Sequence, residues 1–333
     1  MTPAARTFVP ELEARRHLLE GYANFREMPD EVNAQWKAPL GPAEEWDLDI
    51  TEVAIPGPHG DVPVRVYTPR TPAPSGGRPC LVWMHGGAFA WGDLDMPEAH
   101  EVARGVAGRA DAVVVSVDYH LCPVPAELGG TVGDRVDERG LPVRYPVPQD
   151  DCAAVLDAVR AEPERFGVDP ARVAIGGASA GAALAAGVAW RRGSEGRAPW
   201  QALLVYALLH PRVPAPDAEL AEALAAAPPA LAFPPEMSGA VDRNMLGGGP
   251  ETATPYAYAG LADDLSVFPP TYVENGEFDG FRASGDLFAE QLRAAGVEVD
   301  VVTRAGVPHG HLDLVGFAPA AATLDALAAR LRR

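Results

Sequence analysis

The chain has 333 residues, 47% of them hydrophobic and 22% charged, the make-up of an ordinary soluble globular protein able to bury a substantial core. Its net charge of −19, from 46 acidic against 27 basic residues, argues against nucleic acid and against an anionic membrane surface as partners. No stretch approaches the roughly 20 apolar residues that span a bilayer, and the N-terminus has no apolar core of signal-peptide length.

From residue 10 to about 40, apolar positions recur at helical spacing (Leu12, Leu18, Leu19, Tyr22, Phe25), with Pro29 as a break. Residues 46–68 read as a hairpin, two alternating runs around Pro56, Gly57, Pro58 and Gly60. A linker rich in Pro, Gly and Ser follows over 69–79. The rhythm then changes: residues 80–85 and 112–119 are near-continuous apolar runs, as expected of strands buried on both faces of a parallel sheet. Helices are expected over 97–110 and 150–167, a strand over 172–177, and a helix ending near Gly193. Further strands are expected at 202–209, 270–275 and 297–304, and helices at 284–296 and the C-terminus. Alternating strand and helix after an antiparallel start indicates an α/β fold with a mostly parallel sheet. Two stretches interrupt it, 123–148 and 211–269, both rich in Pro, Gly, Ala and acidic residues. Long insertions of this kind are lids, binding loops or disorder, and the short helical pieces of the second suggest part of a cap. Three cysteines (Cys80, Cys122, Cys152) without motif spacing fit a reducing compartment, so a cytoplasmic protein is expected.

One serine is crowded by small residues: Gly177-Ala178-Ser179-Ala180-Gly181. Such a G-x-S-x-G is weak alone in a chain with 34 glycines. Its place after an expected strand and before an expected helix is the context in which the pattern exposes a nucleophile on a sharp turn. His85-Gly86-Gly87-Ala88-Phe89 directly follows another strand. It reads either as a glycine turn or as a loop whose amides, with that of Ala180, receive a developing oxyanion. A serine nucleophile needs an imidazole to take its proton and a carboxylate to orient that imidazole. In the chain order Ser, acid, His, the imidazole is His309, with His311 as competitor. The acid is Asp279, with Glu277 and Glu274 as competitors. His309-x-His311-x-Asp313 has the spacing of a metal-binding pattern, but Asp325 is the sole His, Cys, Asp or Glu beyond it, so no metal is expected.

Together these motifs resemble the hormone-sensitive-lipase-like family (bacterial family IV) of α/β-hydrolase esterases. The resemblance rests on HGGAFAWGDLD (85–95), VVSVDYHLCP (114–123), YPVPQDDCAAVLDAV (145–159), GGASAGAAL (176–184), DLSVFPPTYVENGEFD (264–279), LRAAGVEVDV (292–301) and HG (309–310). It implies an eight-stranded, mostly parallel sheet with helices on both faces (46–210 and 266–333). A helical cap would be built from 1–45 and the insertion 211–265. It also implies hydrolysis of small carboxylic esters with Ser179, Asp279 and His309 as triad and Gly86, Gly87, Ala88 and Ala180 around the oxyanion, without cofactor. Phe89 and Trp91 are expected to line the substrate pocket, and the family often dimerises through the last strand. Other expectations on the same scaffold are a non-catalytic ligand receptor, a lyase or an amidase. The chain departs from the family pattern in four places. Ala88 stands where a third glycine is usual, Gly280-Phe281-Arg282-Ala283 lacks the usual second acid, His311 replaces an aromatic, and 124–144 is longer than typical.

Overall fold

The computed structural model describes residues 6–124, 135, 136, 140–233 and 235–333, and for 235–238 the backbone alone. Its centre is an eight-stranded sheet in the order β1-β2-β4-β3-β5-β6-β7-β8. The strands are β1 (Leu48–Gly57), β2 (Gly60–Pro69), β3 (Arg78–Met84), β4 (Val113–Val117), β5 (Val168–Ala178), β6 (Ala202–Val205), β7 (Thr271–Phe278) and β8 (Val299–Pro308). β1 pairs antiparallel with β2, and β2 with β4; every pair from β4 to β8 is parallel. β3, β4 and β6 are buried along their whole length, which is why their sequences run apolar without alternation.

Neighbouring residues on each central strand feed opposite cores. Val82, Val115, Ile175 and Leu204 face one hydrophobic cluster, completed by Leu156 of α4 (Val147–Ala161), Leu184 of α6 (Ala180–Ser194) and Phe288 of α9 (Arg282–Ala294). Leu81, Val114, Ala174 and Leu203 face the other, completed by Val106 of α3 (Pro97–Ala110) and Leu327 of α10 (Ala318–Leu331). The sheet is thus a wall between two apolar layers, and its carboxyl edge carries the loops that hold the site.

Four boundaries differ from the sequence expectation. The expected strand over 202–209 ends at Val205, because Tyr206 turns out of the sheet at φ 39°. The expected helix over 150–167 starts earlier, at Val147, and breaks at Pro163 into α4 and the single turn α5 (Pro163–Phe166). β5 begins at Val168, four residues before the apolar run. The N-terminal region, expected as helices with a break at Pro29, forms shorter pieces, including α1 (Pro10–Glu13) and α2 (Asp30–Trp36), the latter starting directly after that proline. These pieces lie against the carboxyl end of β7, where the Phe8 and Phe278 rings meet edge-on at 4.8 Å. They also touch the insertion after β6, which carries α7 (Ala218–Ala226) and α8 (Pro235–Leu246): Arg16 donates to the Ala226 carbonyl at 2.8 Å.

Candidate active site

Ser179 stands between β5 and α6 with φ 53° and ψ −119°, a left-handed backbone rare for a residue with a side chain. Its neighbours permit this. A Cβ on Gly177 would strike the Gly181 backbone, and one on Gly181 would strike the Met84 and His85 carbonyl oxygens. Both glycines are therefore required by the close approach of the turn to the end of β3. The Ser179 amide is tied to the Val205 carbonyl at 3.0 Å, which fixes the turn over the end of β6.

The other two residues of the expected triad converge on this serine. His309 follows β8, and its Nε2 lies 2.9 Å from Ser179 Oγ. Its Nδ1 lies 2.7 Å from Asp279 Oδ2. Asp279 follows β7, its side chain is inaccessible, and its second oxygen accepts the Phe281 amide at 2.8 Å. Burial disfavours the charged form of His309. The charge and hydrogen bond of Asp279, helped by Glu98 and Asp313, outweigh that and hold its pKa above the ordinary histidine value. With Nδ1–H directed at Asp279, Nε2 is left to accept the serine proton.

The competitors are engaged elsewhere. Glu277 bonds Arg6 at 2.6 Å and the Gly306 amide at 2.8 Å. Glu274 is buried in a separate network with Tyr272, Arg304 and Thr323. Buried His311 places Nε2 3.0 Å from Thr323 Oγ1 and 3.5 Å from Glu274. Asp313 pairs with Lys37 at 3.0 Å. The His-x-His-x-Asp pattern is thereby split among three neighbourhoods, and no group of three or more His, Cys, Asp or Glu fit for a metal occurs among the described residues.

The loop after β3 is wound tightly. Gly87, Ala88 and Phe89 all have positive φ (109°, 52° and 62°), and the amides of Ala90 and Trp91 both return to the Gly87 carbonyl. A Cβ at Gly87 would strike the Trp91 carbonyl, so only glycine fits there. Tyr119 donates its hydroxyl to the His85 carbonyl at 2.9 Å and stacks on the His85 ring at 4.7 Å, while His85 Nδ1 lies 2.7 Å from the Gly86 carbonyl. One expectation is narrowed: the Gly86 amide donates to the carboxylate of Glu98, so it is taken before any substrate arrives. A second is corrected. Phe89 is 1% exposed and packs in the core beneath the loop, so it does not line an open pocket. Trp91, by contrast, is 39% exposed.

Aromatic residues that pattern reasoning did not single out surround the imidazole. The Tyr206 ring lies 4.8 Å from His309, and Phe281 and Phe233 meet it edge-on at 5.1 and 4.9 Å. Phe233 comes from the insertion after β6 and also lies 5.9 Å from Phe25 of the N-terminal region. Tyr206 and Phe233 are separated from Ser179, Asp279 and His309 in sequence, and each is a lone aromatic, one in an apolar run and one in an insertion, which nothing in the pattern marks. Most of the long segment 124–144 lies outside the described residues; Arg135, within it, donates to the carbonyls of Ala90 and Cys122. The three cysteines are free and buried, and burial pushes the Cys122 thiol up to about 12. No described helix is long and apolar enough to cross a membrane.

Comparison with known proteins agrees with this architecture. The family model of the α/β-hydrolase fold matches residues 81–126 and 141–313. Esterase LipI of Mycobacterium tuberculosis is 32% identical over 278 residues, 83% of this chain and 78% of that protein. Carboxylic ester hydrolase LipN of the same organism is 31% identical over 301 residues, 88% of this chain and 73% of that protein. Among solved structures, a hyperthermophilic esterase from the archaeon Pyrobaculum calidifontis superposes with a TM-score of 0.76 at 25% identity, covering 98% of both chains. With this family match, these relatives and this shared fold, the chain belongs to the α/β-hydrolase fold family, in its hormone-sensitive-lipase-like branch.

Proposed function

We propose that the protein is a serine carboxylesterase acting on small or short-acyl carboxylic esters. The observation that carries the reading is the line Ser179 Oγ, His309 Nε2, His309 Nδ1, Asp279 Oδ2, with contacts of 2.9 and 2.7 Å. Ser179 Oγ attacks the ester carbonyl as its proton passes to His309 Nε2. Asp279 stabilises the imidazolium and keeps the ring oriented. The oxyanion is received by the Ala180 amide, one of the first-turn donors of α6 that lack an intrahelical acceptor, and by the amides of Gly87 and Ala88. Collapse of the tetrahedral intermediate expels the alcohol, which takes the proton from His309. A water then enters, loses its proton to the same nitrogen, and releases the acid from the acyl-enzyme.

Names of the relatives support the reaction class, since LipI and LipN are called an esterase and a carboxylic ester hydrolase. Residues 1–45 and 211–265 form the cap in this reading, with Phe25 and Phe233 meeting above His309. The outer edge of β8, before Gly306 whose carbonyl accepts the Val9 amide, is the surface through which two copies would join, and the reduced, buried cysteines suit a cytoplasmic location. The test is Ser179→Ala assayed with p-nitrophenyl acetate. Turnover should fall by about 10⁴-fold or more while the circular dichroism spectrum is kept; turnover near that of the parent would refute the reading.

A further inference from the structure

Behind the loop after β3 lies a carboxylate that the reaction as written does not use. Glu98 sits in the first turn of α3 and is 3% exposed. One of its oxygens accepts the Gly86 amide and the other accepts the Tyr206 hydroxyl. Its own carbonyl accepts Trp83 Nε1 at 2.9 Å, which fastens this turn of α3 to β3. Gly86 is held in a narrow gap, since a Cβ there would meet Glu98 on one side and Ser179 Cβ at 3.0 Å on the other. The Tyr206 ring, held by its hydroxyl, lies 4.8 Å from His309 and 5.2 Å from His311.

A buried acid would more cheaply be an apolar residue unless its two acceptors matter. Here both acceptors are spent on groups that border the reacting atoms. We propose that Glu98 is a positioning residue: its carboxylate ties the backbone of the oxyanion loop at Gly86 and the ring of Tyr206 to one point, holding the loop amides and the imidazole in a fixed relation. The proposal rests on the esterase reading of the site and deepens it.

The groups around Glu98 bear on its charge. Burial and the charge of Asp313, which is itself paired with Lys37, push it up to about 7, against the hydrogen bonds from Tyr206 and Gly86 and the attraction of His309. His85 Nδ1 borders the same loop at the Gly86 carbonyl, and the buried Tyr119 hydroxyl lies behind it. An ionised Glu98 favours the imidazolium of His309, so its charge raises the pH at which the base is lost, while its hydrogen bonds hold geometry. The two contributions are separable by substitution.

Glu98→Gln keeps an acceptor for Gly86 and an N–H for the Tyr206 oxygen but removes the charge; Glu98→Ala removes both ties. With p-nitrophenyl acetate, Glu98→Ala should lower kcat about tenfold with KM changed less than about threefold, a part of the roughly 10²–10³-fold lost when an oxyanion donor is removed outright. Glu98→Gln should restore kcat to within about threefold of the parent and move the acid limb of the pH–rate profile to lower pH. Active sites are counted by stoichiometric labelling of Ser179 with an alkyl fluorophosphonate, so that kcat refers to competent enzyme. A purely structural role would lower the labelled fraction and leave kcat per labelled site and the acid limb where they were, which overturns the proposal. If Glu98→Ala does not fold, the limb of Glu98→Gln decides, and an unmoved limb refutes it. Failure of the esterase reading itself would appear separately, as parent enzyme that neither turns over the ester nor takes up the label.

Discussion

His309 touches two oxygens of unlike character, a hydroxyl on one ring nitrogen and a buried carboxylate on the other. Because its pKa is held above the ordinary histidine value, by Asp279 against the opposing effect of burial, the neutral base is lost as pH falls through that raised value. The kcat/KM profile of the parent should therefore lose activity on its acid side at a pH above the unperturbed histidine value of about 6.5. Asp279→Asn should lower kcat by roughly 10³–10⁴-fold, since an amide can hold the ring in the wrong tautomer and cannot stabilise the imidazolium. A loss of less than about tenfold, measured on enzyme titrated for active sites, would count against this role of the carboxylate. At this scale the convergence of Ser179, Asp279 and His309 was legible because the proposed chemistry demands a set order and set neighbours: a serine with glycines two residues to either side, then an acid and a histidine after the last strands. Glu98 and Tyr206 were not legible. One is an acid in the first turn of a helix, where acids are common for dipole reasons alone, and the other lies inside an apolar run.

At the scale of elements, the loop after β3 shows how a departure from a pattern is accommodated. Ala88 sits at φ 52°, where a side chain costs about 1–2 kcal/mol relative to the right-handed region. Ala88→Gly relieves that cost, but glycine also frees the unfolded chain, so stability in urea should change by less than about 1 kcal/mol. Deleting the methyl beside the loop amides should instead show in specificity, with kcat/KM for p-nitrophenyl hexanoate rising relative to the acetate. An unchanged ratio would mean that the methyl points away from the acyl group. The strands were read most reliably where burial is two-sided, as at β3 and β4. The end of β6 was misjudged because residues 206, 207 and 209 stay fully buried after the chain leaves the sheet. An apolar run reports burial, and cannot by itself separate a strand from a buried turn.

For the whole molecule, the second buried ionic network sets the response to acid. Burial disfavours the charge on Glu274, but His311 and Arg304 outweigh it and hold the carboxyl down to about 2. Its folded value lies below the unfolded one of about 4.3, so its contribution is full above the latter and is lost as pH falls towards about 2. Glu274→Gln should cost about 3 kcal/mol in urea unfolding at neutral pH, because Arg304 is left without its counter-charge. That difference should shrink steadily between about pH 5 and 2. A constant difference across that range would place the effect in packing rather than charge. The network joins β7, β8 and α10 on the face opposite α4, α6 and α9, so on that side of the parallel half of the sheet charge pairing is added to apolar packing, while the other side is held by apolar packing.

The close approach of Gly177 and Gly181 to the end of β3 has a consequence for how the site tolerates error. β3 pairs with β5 so that Met84 stands opposite Gly177, and the chain leaves both strands at the same level, one into the loop and the other into the serine turn. Ser179 and the amides that would receive the oxyanion are therefore measured from one shared datum, the last rung of that strand pair. A substitution deep in the core that slides or tilts the rung carries both parts together and leaves their spacing intact. A single methyl inserted at either glycine wedges them apart. Tolerance to mutation should accordingly be high in the body of the sheet and nearly nil in the few atoms where its two central strands end.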